Sequence, residues 1–204
     1  MSNTLGKILQ LGRRGQKPSC AAVVLAAGGS VRMGSDKILA KLGEIPVLAR
    51  ALRPFRDCEY ISEIVVVTSA EKLMEVTELS REYNIGKVSK VVSGGKTRAE
   101  SALTGVSELQ DDVDLIAIHD GARPLVTVDL IRRTVEAAAQ KYAAVPAIRS
   151  TDTLKTAGED GAIIGSVDRE CTWLLWSLNI REYCSNSAGK YSRETRDTVL
   201  ILTW

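Results

Sequence analysis

Up to residue 148, short aliphatic runs alternate with segments of helical period, and few architectures accommodate that alternation. The runs CAAVVL (20–25), ISEIVVVTS (61–69), VSKVVS (88–93), DLIAIH (114–119) and AAVPAI (143–148) are largely aliphatic, and ISEIVVVTS is mostly β-branched. They read as strands, and CAAVVL is apolar throughout, as in a parallel sheet covered on both faces. Between them VLARALRPF (47–55, after Pro46), EKLMEVTELSREY (71–83), TRAESALTGVSEL (97–109) and VDLIRRTVEAAAQKY (128–142) read as helices. In the second of these, Leu73, Val76, Leu79 and Tyr83 fall near one face. The expected fold class is α/β: a Rossmann-like, mostly parallel sheet with helices on both faces and AAVPAI as its last buried strand.

The pattern then changes. STDTLKTAGEDGAIIGSVDR (150–169) alternates polar and apolar residues around GEDG, a hairpin signal with glycines at the turn. Such a hairpin has no place in the parallel sheet, so it is expected to project as a β-hairpin arm.

The 204 residues suffice for one such domain, and 45% hydrophobic with 25% charged residues marks a globular chain. A net charge of +2 gives no case for nucleic acid or an anionic membrane. No apolar run reaches membrane-spanning length. The segment 1–18 lacks the features of a secretory signal and reads as a mobile basic extension. The four cysteines show no CxxC pairing, Cys20 reads as a core residue, and His119 is the only histidine. These features argue against zinc and for a reducing, cytoplasmic setting.

Ligands of open α/β sheets bind at the carboxyl ends of the strands. AAGG, SGGKTR, HDGARP and RSTDTLK all lie at such ends. Gly28 and Gly29 permit torsions closed to other residues and let a ligand approach the main chain. The loop is neither a P-loop, since Lys37 comes two residues late, nor a GxGxxG fingerprint. Arg32, Lys37, Arg98 and Arg123 can converge there as a cationic cluster suited to a polyphosphate. Asp120 is placed to meet a hard metal ion, and magnesium favours one or two carboxylates plus substrate phosphates. Each residue also has a plainer reading. Arg98 can be a first-turn residue, Ser101 a helix-surface residue, Asp120 a turn cap paired with Arg123, and His119 a satisfied core-edge histidine.

AAVVLAAGGSVRMGSDK, SGGKTRAESALTG, IHDGARPLV, DTLK and SVDR, in this order and spacing, resemble the 2-C-methyl-D-erythritol 4-phosphate cytidylyltransferase family over about residues 19–170. The resemblance implies a cytidylyltransferase that joins CTP to 2-C-methyl-D-erythritol 4-phosphate with Mg²⁺, in isoprenoid precursor synthesis. It implies Arg32 and Lys37 as the catalytic pair, and Ala26, Ala27, Gly28, Gly95 and Ser101 as nucleotide-binding. Asp120 would face the metal and the reacting phosphates, while Arg123, Thr153 and Arg169 would hold the polyol phosphate. The arm, at about 150–169, would reach into a partner subunit of a homodimer.

After Glu170 the sequence departs from the family's pattern. Residues 171–204 read as an atypical tail following a nucleotidyltransferase domain at 19–170. Two other readings stand beside the leading one: a ribitol 5-phosphate cytidylyltransferase, and a truncated CTP-binding module without turnover.

Overall fold

The structure, a computed structural model, describes residues 17–28, 36–110, 112–175, 178–182 and 200–202. Most of the expected basic extension, together with Gly29 and Arg32, lies outside the described residues.

The predicted alternation is present. The strands β1 (Cys20–Leu25), β4 (Ile61–Thr68), β5 (Val88–Ser93), β6 (Leu115–Asp120) and β7 (Ala143–Arg149) alternate with helices. The helices are α1 (Val47–Asp57), α2 (Leu73–Glu82), α3 (Arg98–Ser107) and α4 (Val128–Lys141). A small ribbon of β2 (Lys41–Leu42) and β3 (Ile45–Pro46) leads into α1.

Why these runs are strands is visible in their burial. Successive residues of β1 enter opposite cores: Ala22 and Val24 join one, Ala21 and Val23 the other. β4 and β6 do the same along their central residues, so both faces are covered there and successive positions need apolar side chains. α1, α2 and α4 contribute Leu48, Phe55, Val76, Leu79 and Ile131 to the first core. α3 covers the second with Ala102 and Val106.

β5, β4, β1 and β6 are neighbours and pair in parallel. β7 is not next to β6, and, contrary to the sequence expectation, it is not the last buried strand. β11 (Asn179–Glu182) inserts between them and runs antiparallel to both. β10 (Trp173–Leu175) pairs antiparallel with β7, and β12 (Leu200–Leu202) pairs parallel with it. The segment expected to be an atypical tail thus completes the sheet. Leu178 and Ile180 are fully buried there, Ile180 opposite Ala117 of β6.

The hairpin forms as expected, from β8 (Lys155–Ala157) and β9 (Ile163–Ser166). It is a separate two-stranded sheet rooted between β7 and β10, where Ser150 N–H donates to Thr172 O at 3.0 Å. Among the described residues, no helix is long and apolar enough to cross a membrane.

Candidate active site

Four parallel strands end at one edge. Leu25 of β1 is in register with Val67 of β4 and Asp120 of β6, and Thr68 with Ser93 of β5. The loops beyond them are held by backbone bonds. Ala26 N–H donates to Val67 O at 2.6 Å, Gly94 N–H to Thr68 O at 2.8 Å, and Gly121 N–H to Leu25 O at 2.8 Å. The buried Thr68 hydroxyl donates to Ala26 O at 3.5 Å. Gly28 lacks the left-handed torsions expected of it, and a Cβ there would meet no described atom within 4 Å. Among the described residues nothing crowds this glycine, and its torsions are ones other residues adopt.

The loop from Gly94 to α3 is built around a capping box. The Glu100 carboxylate accepts from Lys96 N–H at 2.6 Å and Thr97 N–H at 3.2 Å, and the Thr97 hydroxyl accepts from Glu100 N–H at 3.1 Å. These bonds satisfy backbone donors that a helix start leaves open. Buried Ser101 donates to Gly95 O at 3.4 Å. A Cβ on Gly95 would lie 2.4 Å from Glu100 Cβ, and one on Gly94 3.0 Å from Ala27 Cβ, so only glycine lets the chain pass this closely. Ala27, Gly95 and Ser101 are thereby brought together. The Thr97–Glu100 box was missed by the sequence reading, although Thr-x-x-Glu before an apolar run is its signal.

Asp120, at the end of β6, is shared by two arginines. Arg98 Nε and Nη2 donate to its Oδ1 at 3.2 and 2.9 Å, and Arg123 Nε lies 3.5 Å from its Oδ2. Arg98 and Arg123 outnumber the carboxylate they share, which leaves positive charge at this edge. Beneath them His119 is buried against Phe55, and burial lowers its pKa to about 4. Its Nε2 lies 3.1 Å from Arg123 O. A carbonyl only accepts, so the neutral ring carries its proton on Nε2 and braces the turn that bears Arg123. His119 is thus the satisfied core-edge histidine expected from the sequence.

Lys37 is half-buried on a turn whose shape comes from Asp36 and Ile38. Asp36 accepts from Ile38 N–H at 3.2 Å through its side chain and from Ala40 N–H at 3.0 Å through its carbonyl. Ile38 is buried, and the carbonyls of Ile38 and Ala40 accept from Leu48 and Val47, the first N–H groups of α1. The Asp36 carboxylate also pairs with Lys72, just beyond β4.

Thr153 and Arg169 flank the base of the arm, where Val167 N–H donates to Leu154 O at 3.0 Å. Both are exposed, and no hydrogen bond or ion pair among the described residues joins them to Asp120, Arg98 or Arg123. Asp168 caps the short turn Arg169–Cys171 through Glu170 N–H at 2.9 Å.

Among the described residues no three acids, histidines or cysteines gather as a metal-binding group. Asp36 and Glu100 are committed to Lys72 and to the backbone. Among the described residues Asp120 is held by arginine side chains alone, and its Oδ2 has no hydrogen bond or ion pair shorter than the 3.5 Å to Arg123 Nε. One such carboxylate fits a hard divalent cation held mainly by phosphates, and does not fit one held by protein alone.

A sheet whose parallel strand ends set close-packed glycines beside arginine and lysine is suited to receive a nucleotide's phosphates, as in a nucleotidyltransferase. The family model described as IspD, 2-C-methyl-D-erythritol 4-phosphate cytidylyltransferase, matches residues 20–177. The chain belongs to this family. The match runs past the Glu170 boundary read from the motifs and takes in β10. A curated relative of that name from Caldanaerobacter subterraneus is 36% identical over 165 residues, covering 79% of this chain and 73% of the relative. One from Clostridium botulinum (strain Loch Maree / Type A3) is 33% identical over 189 residues, covering 89% and 82%. Among solved structures, 4-diphosphocytidyl-2C-methyl-D-erythritol synthase from Anaerococcus prevotii superposes with a TM-score of 0.75 at 20% identity, covering 92% of this chain and 87% of that one. A second structure of a synthase of that name gives 0.67 at 28% identity, covering 82% and 76%.

Proposed function

We propose that the edge formed by β1, β4, β5 and β6 is where this cytidylyltransferase joins CTP to 2-C-methyl-D-erythritol 4-phosphate. The polyol's phosphate oxygen attacks the α-phosphorus of CTP. A new phosphorus–oxygen bond forms, the bond to the bridging oxygen of the β-phosphate breaks, and pyrophosphate leaves with the electron pair. No covalent intermediate on the protein is required, so catalysis rests on positioning and electrostatic stabilisation.

The observation that carries this reading is the Asp120 carboxylate shared by Arg98 and Arg123, beside the Gly94–Ser101 loop. Gly95 and Ser101 offer a rigid backbone to the cytosine, while Ala26, Ala27 and Gly28 line the nucleotide. Lys37, with Arg32, neutralises the phosphates as charge develops at the α-phosphorus. Arg123, Thr153 and Arg169 hold the polyol phosphate, and Asp120 is the ligand for Mg²⁺. When bound, Mg²⁺ supplies charge neutralisation of the triphosphate.

The enzyme works as a homodimer, each arm reaching the partner's site. The exposure of Ile163 (69%) and Ile164 (72%) on the arm supports this, because apolar side chains so exposed favour a covering surface. Buried Cys20 and Cys58, both free thiols, suit a cytoplasmic setting.

A pyrophosphate-release assay tests the reading. Release is expected with CTP and 2-C-methyl-D-erythritol 4-phosphate together, and far less when ATP, GTP or UTP replaces CTP. Equal release with every nucleotide would overturn the assignment of the cytosine loop.

A further inference from the structure

Arg98 occupies the first position of α3, where local physics does not favour it. The start of a helix carries partial positive charge and prefers acidic side chains. The partner of Arg98 lies off the helix, 22 residues away in sequence: it donates twice to Asp120 Oδ1, from Nε at 3.2 Å and Nη2 at 2.9 Å. Both donors converge on one oxygen while Arg123 Nε lies 3.5 Å from the other, so each carboxylate oxygen faces its own arginine and the carboxylate's direction is set by the pair. Arg98 also follows the capping residue Thr97 directly, and the backbone there is held by Glu100. The guanidinium thus ties the Gly94–Thr97 loop to the end of β6.

We infer that Arg98 is a positioning residue for the reaction, orienting the Asp120 carboxylate and coupling it to the loop that receives the nucleotide. This rests on the reading of the strand edge as the transfer site. Arg98 acts through Asp120. Its loss therefore lowers turnover with CTP and 2-C-methyl-D-erythritol 4-phosphate more than it raises the KM for CTP. The side chain is 56% exposed, so solvent screens the pair. The expected loss in kcat is about tenfold, the low end for a charge-assisted bond.

The test compares wild type, Arg98→Gln, Arg98→Lys, Asp120→Asn and the double variant Arg98→Gln/Asp120→Asn. A remote control, Lys90→Gln, breaks an exposed pair with Glu108 at the other end of α3. Expected results are a kcat loss in Arg98→Gln with KM for CTP within about twofold of wild type, partial rescue in Arg98→Lys, and no loss in Lys90→Gln. Arg98→Gln should add little to Asp120→Asn, because both disable one device. Losses that multiply in the double variant would overturn the inference, as would a normal kcat in Arg98→Gln while wild type is active. Hydrogen exchange of the ligand-free protein provides a readout independent of turnover. Asp120→Asn should speed exchange at the Lys96 and Thr97 amides, and unchanged exchange there would overturn the coupling. An inactive wild type with the expected exchange result would remove the transfer-site reading and leave the coupling standing.

Discussion

Lys72 Nζ lies 2.5 Å from Asp36 Oδ2, so the turn that carries Lys37 is tied to the segment leaving β4. Lys72 is not among the residues expected to bind substrate, yet its ion pair holds the residue next to Lys37. Asp36 is the hinge of that relation, since its other carboxylate oxygen accepts from Ile38 N–H.

Lys72→Met should therefore lower kcat with little effect on stability. The two side chains are 28% and 26% exposed, so losing the pair should cost about 1 kcal/mol or less. A displaced Lys37 should reduce kcat about tenfold, since ångström-scale misplacement of a catalytic group is costly. Thermal unfolding and steady-state kinetics on one preparation check this. A large drop in melting temperature with normal kcat would show that the pair serves stability instead.

Lys37→Ala should reduce turnover far more than it weakens CTP binding. In the proposed mechanism the ammonium is needed most when the α-phosphorus carries five oxygens, and losing one such donor typically costs on the order of 10²–10³ in kcat. Calorimetry for CTP beside the pyrophosphate assay separates the two effects. Near-normal turnover in the purified variant would remove Lys37 from the mechanism.

The strands β1, β4 and β6 were legible because burial on both faces demands long aliphatic runs, which a sequence displays directly, whereas β5, at the sheet's edge and only partly buried, was legible from its valines. β10 and β11 were not. Each is three or four residues long, and β11 owes its place to pairing with β6 and β7, contacts more than thirty positions away. The site divides the same way. Glycine loops at strand ends and the cation-rich motifs announced themselves, whereas the direct bridge from Arg98 to Asp120 depends on how α3 and β6 come together. The resemblance supplied roles that spacing alone did not, and the capping box went unread although its pattern was present.

His119 should make stability depend on pH. Its folded pKa is lowered from 6.5 to about 4 by burial, so the unfolded chain binds its proton first as pH falls. The contribution is fully present above the unfolded pKa, is lost between there and the folded value, and amounts to about 3 kcal/mol in all. Urea unfolding at pH 7 and pH 5 should show roughly 2 kcal/mol of this loss in wild type, the rest falling below pH 5, and a smaller loss in His119→Gln. An identical pH dependence in both proteins would contradict the assigned neutral state.

Arg169 on the arm should act on the partner's substrate phosphate, its planar fork gripping oxygens in pairs. Mixing Lys37→Ala with Arg169→Ala protein should restore part of the activity after subunit exchange, because a mixed dimer contains one site with both residues intact. Confirmed exchange without recovery would exclude a shared site.

Phosphorus NMR of a complete reaction tests the central claim most directly. With CTP, Mg²⁺ and 2-C-methyl-D-erythritol 4-phosphate, the resonances of CTP and the monophosphate should decay together. Pyrophosphate and a diphosphate diester should appear in equal amounts, and ribitol 5-phosphate should give almost none. CTP hydrolysis without the diester, or faster conversion of ribitol 5-phosphate, would contradict the assignment of this chain as a 2-C-methyl-D-erythritol 4-phosphate cytidylyltransferase.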